Sequence, residues 1–295
     1  MSSDALAPQT SAHRTADATV SIALGGGGAR GLAHIHVIEV LDELGIRPQL
    51  IAGSSIGAIM GAAMAAGLSG REVREHTLDA VGRPGDALGR IWGLRPATLS
   101  DFWSNGLRFG QFNLERVLRA FLHPDIPDRF EELKIPLKVV TADFYAQREH
   151  ICETGALFPA IAASASLPAL FMPVRIDGRV LVDGGLWNPV PFDHLAGTAD
   201  ITVGVDVVGH PSGDEGQLPN GIDSLYGASQ LTMRAMIELK LKQGAPDIFL
   251  RPEVGRFRVL DFLRAREILE HTAGIREEFK RALDVQFERH ARKRG

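Results

Sequence analysis

Apolar residues recur along this chain in short runs that end in glycine and hand over to longer, periodic stretches. Val20 to Leu24 is one such run, and it stops at a row of glycines. Beyond them Leu32, Ile35, Val37, Ile38 and Leu41 follow the spacing of a helix face packed on a sheet. Gly45 and Pro48 end that helix. Gln49 to Ala52 predicts a second buried strand, and Gly53 to Gly57 leads straight into a helix rich in Ala and Met. Strand, helix and strand in this order predict a parallel βαβ unit.

Farther along, Leu137 to Thr141 predicts a third core strand and Ile201 to Val208 another. Arg175 to Val182 predicts a hairpin whose two-residue turn is Asp177-Gly178, a favoured turn pair. The remainder is predicted mostly helical, from about Ile222 to Gln243 and from about Leu260 to His290, with an apolar strand at Asp247 to Leu250. No internal repeat is found. Strands alternating with helices predict an α/β fold, a three-layer αβα arrangement around a mostly parallel central sheet. Residues 1–19 are small and polar and predict a disordered arm. Residues 20–208 carry the alternating core, and 209–295 predict a mostly helical part packed on the same domain. Residues 82–112, with scattered Gly, Pro and aromatics, predict a loop-rich cover.

Composition narrows the function. With 295 residues, 45% hydrophobic side chains and a net charge of -4, the chain can bury a substantial core but has no field that attracts nucleic acid. Cys152 stands alone, which excludes an internal disulfide and a cysteine-based metal cluster and suits a reducing compartment. The N-terminal residues lack the basic start and apolar stretch of a secretory signal. Ile51 to Leu68 and Phe158 to Val174 are apolar, but serines and glycines interrupt the first and prolines the second, short of the roughly 20 continuous residues of a membrane span. A cytoplasmic protein is expected.

Two glycine-rich turns carry the candidate chemistry. Gly26-Gly27-Gly28-Ala29-Arg30-Gly31 fits the spacing of a dinucleotide loop, which requires an acidic residue at the end of the next strand. That strand ends in serines, and Asp42 and Glu43 lie at the end of the first helix, so the dinucleotide reading fails. The serines belong to Gly53-Ser54-Ser55-Ile56-Gly57, which fits G-x-S-x-G: glycines either side of Ser55 let the chain turn sharply and expose its hydroxyl. The blander alternative is a tight turn in which Ser54 or Ser55 caps the following helix. An acyl-transfer enzyme also needs donors where negative charge develops on the carbonyl oxygen. Gly26 to Gly28, without Cβ atoms, can bring backbone N–H groups close to a ligand, and Arg30 adds a positive charge.

A base is less obvious. His34, His36, His123, His150, His194, His210, His271 and His290 lie in no distinctive setting. Asp183 does: Val182-Asp183-Gly184-Gly185 closes a hydrophobic strand and runs into Asn188-Pro189 and Pro191, which cannot continue a ladder. Asp177-Gly178, by contrast, is explained by its hairpin.

Together, from about Ser21 to Val208, these motifs resemble the patatin-like phospholipases, the bacterial type in particular, and the chain is similar to the catalytic domain of neuropathy target esterase. The segment SASLPALFMPV also looks like the family's stretch before its aspartate. The resemblance implies a patatin-like fold and a Ser-Asp dyad without histidine, with Ser55 as nucleophile and Asp183 as general base. It implies an oxyanion hole built from Gly26, Gly27, Gly28, Arg30 and Gly31, a nucleophile elbow of Gly53, Ser54, Ile56 and Gly57, and a DGG motif completed by Gly184 and Gly185. The activity so implied is hydrolysis of fatty-acyl esters of lipids or phospholipids, of phospholipase A or lysophospholipase type, through an acyl-enzyme. No cofactor or metal is expected; a lipid or acyl-ester substrate and peripheral membrane contact are. Trp92, Leu94, Phe102, Trp103, Leu107 and Phe109 in the cover, and Leu170, Phe171 and Met172, are candidates for an acyl trough. Two alternatives stay open: a small-ester α/β-hydrolase with a Ser-His-Asp triad through His194 or His210, and a catalytically idle lipid-binding module.

Overall fold

Five short strands rich in Val, Ile and Ala run parallel through the middle of the computed structural model, which describes residues 18–81, 114–168, 170–210, 218 and 221–294. In spatial order they are β8 (Ile248–Leu250), β7 (Ile201–Val205), β1 (Val20–Leu24), β2 (Ile51–Ser54) and β3 (Leu137–Asp143). Three further strands are antiparallel additions to the β3 end. β4 (Arg148–Cys152) pairs with β3, β6 (Arg179–Asp183) also pairs with β3, and β5 (Val174–Ile176) pairs with β6. The sheet is mixed and mostly parallel.

Alternation along the strands explains the layers, because successive side chains leave a sheet on opposite faces. Val20, Ile22 and Leu24 of β1 join one large core, while Ala23 joins a smaller one. Over the large core lie α1 (His34–Glu43), α2 (Ile56–Ala65), α5 (Leu157–Ser164), α7 (Ala265–Thr272) and α8 (Ile275–Arg294). α3 (Gly70–Val81) and α4 (Leu114–Phe121) pack at its margin through Val73, Leu114 and Leu118. The other face meets Ile237, Met233 and Leu241 of α6 (Gly221–Gln243), together with Val190, Phe192 and Leu195. The helix predicted from Leu260 to His290 is in fact divided. A 3-10 turn at Phe262–Arg264 precedes α7, and Gly274 separates α7 from α8.

Other sequence expectations differ in detail. The strand expected to reach Val208 stops at Val205, because Asp206 turns the chain with its Oδ1 accepting from Val208 N–H at 3.0 Å. β4 was not expected at all: it pairs only with β3, and its residues run from exposed to half-buried until Cys152, so no apolar run marks it. The Asp177-Gly178 hairpin forms as expected, with φ of 48° and 77° at its two turn residues. Residues 1–17 of the N-terminal arm and all of the cover, residues 82–112, lie outside the described residues.

Phe279, fully buried in the large core, joins α8 to the strands, and Arg276 and Lys280 of α8 pair with Glu43 at the end of α1. Phe279→Ala is expected to lower the unfolding free energy by about 3–5 kcal/mol. Urea denaturation followed by far-UV and tryptophan signals should show one earlier transition; a separate, early loss of helix alone would mean that α8 is not part of the same cooperative unit.

Candidate active site

Three chain segments meet where β2 ends. β2 pairs with residues 137–140 of β3 and β6 with 141–143, whereas β4 pairs with 139–143. A strand has only two edges, so β4 occupies one and β2 and β6 share the other. Being parallel and antiparallel to β3 respectively, they approach tip to tip: Ser54 opposite Val140, Asp183 opposite Thr141. Both chains must leave the sheet at that point. Asp183 enters a 3-10 turn, and Ser55 turns into α2 with φ 55° and ψ -123°, a conformation that L residues adopt only under constraint.

The meeting brings Ser55 Oγ within 2.7 Å of Asp183 Oδ2, to which it donates. Asp183 Oδ1 accepts from Gly185 N–H at 2.8 Å. The carboxyl is almost completely buried, and this desolvation pushes it up from an ordinary 3.8 to about 6, against the opposing bonds from Ser55 and Gly185. Ser164, at the end of α5, holds the turn from behind. Its Oγ accepts from Ser55 N–H at 2.9 Å and donates to Val140 O at 2.6 Å, which joins the turn to β3. Gly57 has to be glycine for space: a Cβ there would lie 2.0 Å from Leu24 O. Gly53 is likewise crowded against the backbone of Gly57 and Ala58, and Gly31 against the Ile56 side chain.

The glycine loop passes over the same spot. A Cβ built on Gly26 would lie 3.2 Å from Ser55 Cβ and 3.8 Å from Gly185 Cα. Gly26 N–H itself donates to Pro189 O at 2.9 Å, and Ala29 N–H to Val259 O at 2.8 Å. Gly27 and Gly28 make no such backbone bond among the described residues, so the free donors of the loop are theirs rather than Gly26's. Gly28 needs its φ of 60° to fit against Val259.

The Arg30 side chain is buried and reaches the C-terminal half: Nε donates to Phe257 O at 2.6 Å, Nη1 to Val208 O at 2.6 Å and Nη2 to His210 O at 3.4 Å. Its guanidinium clamps three carbonyls. Burial lowers its pKa to about 10, which leaves it charged at neutral pH.

Nothing in the sequence marks Asn188 as a functional residue. Its carbonyl accepts from Ser54 Oγ at 2.6 Å, and its neighbour Pro189 receives Gly26 N–H, so one short segment supports both the elbow and the glycine loop. Its side chain is fixed in turn: Nδ2 donates to Glu149 Oε1 at 2.8 Å and Oδ1 accepts from Lys240 Nζ at 2.5 Å. The histidines fall elsewhere. His194 Nε2 bonds Glu149 Oε2 at 2.9 Å, and His34 Nε2–H donates to Gly25 O at 2.9 Å, with burial pushing its pKa to about 4. None bonds Ser55. Leu170, Phe171 and Met172 are half-buried, whereas Trp92, Leu94, Phe102, Trp103, Leu107 and Phe109 lie outside the described residues. Among the described residues no group of His, Cys, Asp and Glu is arranged to hold a metal.

Comparison with known proteins agrees on one family. The family model described as patatin-like phospholipase matches residues 22–196. An NTE family protein of Mycobacterium tuberculosis is 37% identical over 195 residues, covering 66% of this chain and 50% of the relative. Patatin-like phospholipase domain-containing protein 7 of Rattus norvegicus is 29% identical over 280 residues, covering 85% of this chain and 20% of the relative. The chain thus spans half the length of the mycobacterial relative and a fifth of the mammalian one. The crystal structure of VipD from Legionella pneumophila aligns with 77% of this chain and 55% of its own at 16% identity and a TM-score of 0.40.

Burial of Asp183 also fixes the sign of a stability effect. Folding raises its pKa from 3.8 to about 6, so between those values the folded chain holds a proton that the unfolded chain has released. The contribution is therefore complete below about pH 4 and is lost as pH rises through about 6. Asp183→Asn, which keeps the shape without the charge, is expected to raise the unfolding free energy near neutral pH by on the order of 2 kcal/mol and to change it little at about pH 3.5. Denaturant titrations at the two pH values measure this, and an equal effect at both would mean that burial of the charge is not the cause.

Proposed function

The chain belongs to the patatin-like phospholipase family, and from that premise we propose that it hydrolyses fatty-acyl esters of phospholipids or lysophospholipids through an acyl-enzyme on Ser55, with Asp183 as base. The observation that carries this reading is the 2.7 Å bond from Ser55 Oγ to a carboxylate whose pKa burial lifts to about 6. An aspartate at its ordinary value would be a feeble acceptor for a hydroxyl proton, and one nearer neutrality is better matched.

In the first half-reaction Ser55 Oγ bonds to the acyl carbon as its proton passes to Asp183 Oδ2, and the negative charge moves to the former carbonyl oxygen. Gly27 and Gly28 N–H groups receive that oxyanion; a donor of this kind typically lowers the barrier by about 2.7–4 kcal/mol. Collapse breaks the ester C–O bond, and the leaving alkoxide takes the proton from Asp183. Water then adds to the acyl-enzyme, giving its proton to the same carboxylate, and Ser55 departs reprotonated. Asn188, Pro189 and Ser164 have positioning roles, since they act through the turn and the loop.

A lipid substrate suits the surroundings. Trp187, four residues beyond Asp183, is 45% exposed, and Leu260 and Leu263 stand exposed just past Val259, which packs on the glycine loop. These side chains supply the peripheral lipid contact in this reading; no helix among the described residues is long and apolar enough to cross a membrane. Nothing on Ser55 favours a histidine triad, because its hydroxyl already donates to a carboxylate.

Ser55→Ala should reduce turnover of a short acyl ester by at least about a thousandfold and abolish labelling by a serine-reactive phosphonate. Labelling that persists in a folded Ser55→Ala protein would remove Ser55 from the role. The wild-type kcat/KM should fall on the acid side with a single ionisation near pH 6, because only ionised Asp183 can accept the proton. A flat profile down to about pH 4.5 would count against Asp183 as base.

A further inference from the structure

Beside Arg30 the fold leaves a cavity of about 400 Å³ at the carboxyl ends of β7 and β8. Asp206 directly after β7 and Arg251 directly after β8 line it, with Arg234 of α6, Arg256, His210 and His271. Ligands of parallel sheets gather at this edge. Ser55 stands on the same edge at the end of β2, three strands from β8, or about 14 Å by strand spacing.

The arginines are anchored from behind and keep donors uncommitted. Arg251 Nε donates to buried Asp206 at 3.0 Å and Nη2 to Glu238 at 2.6 Å, which leaves Nη1. Arg256 makes one long hydrogen bond, Nη2 to Glu267 at 3.3 Å, and the His271 ring makes an edge contact with Phe257. Two acids also line the cavity. Asp206 is already met by Arg251 and, at 3.7 Å, by Arg234; Glu253 is exposed. Arg30 adds a buried charge just behind Gly209, and its hydrogen-bond partners are carbonyls, with no carboxylate in salt-bridge contact among the described residues.

We propose that this cavity binds a phosphate-bearing anion and that Arg30 carries its occupancy to the glycine loop. Guanidinium forks with free N–H groups match phosphate oxygens, which accept several charge-assisted bonds at once. The coupling is covalently short: Arg30 holds the carbonyls of Val208 and His210 on either side of Gly209, which lines the cavity, and stands two residues after Gly28.

The test needs no catalysis and so stands apart from the role of Ser55. Inorganic phosphate and sn-glycerol 3-phosphate are titrated into the Ser55→Ala protein by calorimetry at constant ionic strength, with chloride as control. Saturable one-site binding is expected, weakened about tenfold by Arg256→Gln through loss of a charge-assisted bond. Glu253→Gln, which removes a repelling carboxylate, should tighten it about threefold. Both side chains are exposed, and thermal unfolding checks that each variant is folded. Tighter binding of the glycerol ester identifies a lipid headgroup as the source of the anion, and equal binding identifies free phosphate. No saturable heat with either ligand, or affinities unmoved by both substitutions, overturns the site. Phosphate should also slow amide exchange at 208–210 and at 27–30 together; slowing confined to 208–210 overturns the coupling.

Discussion

Everything in the candidate site depends on one shared strand edge. β3 extends past the end of β2, and β6 fills the uncovered stretch from the opposite direction. Two strand tips cannot occupy the same rung, so both chains are driven out of the sheet at Val140 and Thr141. That exclusion explains the positive φ of Ser55, the 3-10 turn after Asp183 and the short distance between their side chains. The hydroxyl and the carboxylate meet because backbone sterics leave them no other place.

Around that meeting the electrostatics are balanced, not maximised. Gly185 N–H and Ser55 Oγ both favour ionised Asp183, and desolvation opposes them more strongly. A further N–H donor or an adjacent cation would return the carboxyl to the ordinary range and weaken it as a proton acceptor. It is consistent with this that the guanidinium of Arg30, within the glycine loop, is held by carbonyls of the C-terminal half and makes no hydrogen bond to Asp183.

The C-terminal part takes a larger share in the site than its uninformative sequence suggests. Val259 accepts Ala29 N–H and packs against Gly28, Phe257 receives Arg30, and Lys240 of α6 fixes the Asn188 side chain. Asn188 and Pro189 then carry those restraints to Ser54 and Gly26. The loop that offers free N–H groups is thus shaped by segments more than 200 residues downstream as well as by its own glycines.

Much of this was legible in the linear order of residues. Apolar runs located β1, β2, β3 and β8, the first two of them ending in glycine, Asp177-Gly178 located a hairpin, and the odd surroundings of Asp183 separated it from an ordinary turn. β4 carries no sequence signal because an edge strand needs no apolar run, and the break in the last helix carries none because one glycine does not interrupt a periodic pattern. The roles of Ser164, Asn188 and Val259 had no sequence signal, since a hydroxyl, an amide or a carbonyl shows its partner only when the partner arrives. What the sequence determined by itself was local: which segments extend, which turn, and where glycine leaves room for close approach. The tertiary structure alone decided which edge of β3 receives β2 and β6, how far burial raises Asp183, and that Arg30 clamps the C-terminal half. Each of these depends on residues distant along the chain that share one small, dehydrated space.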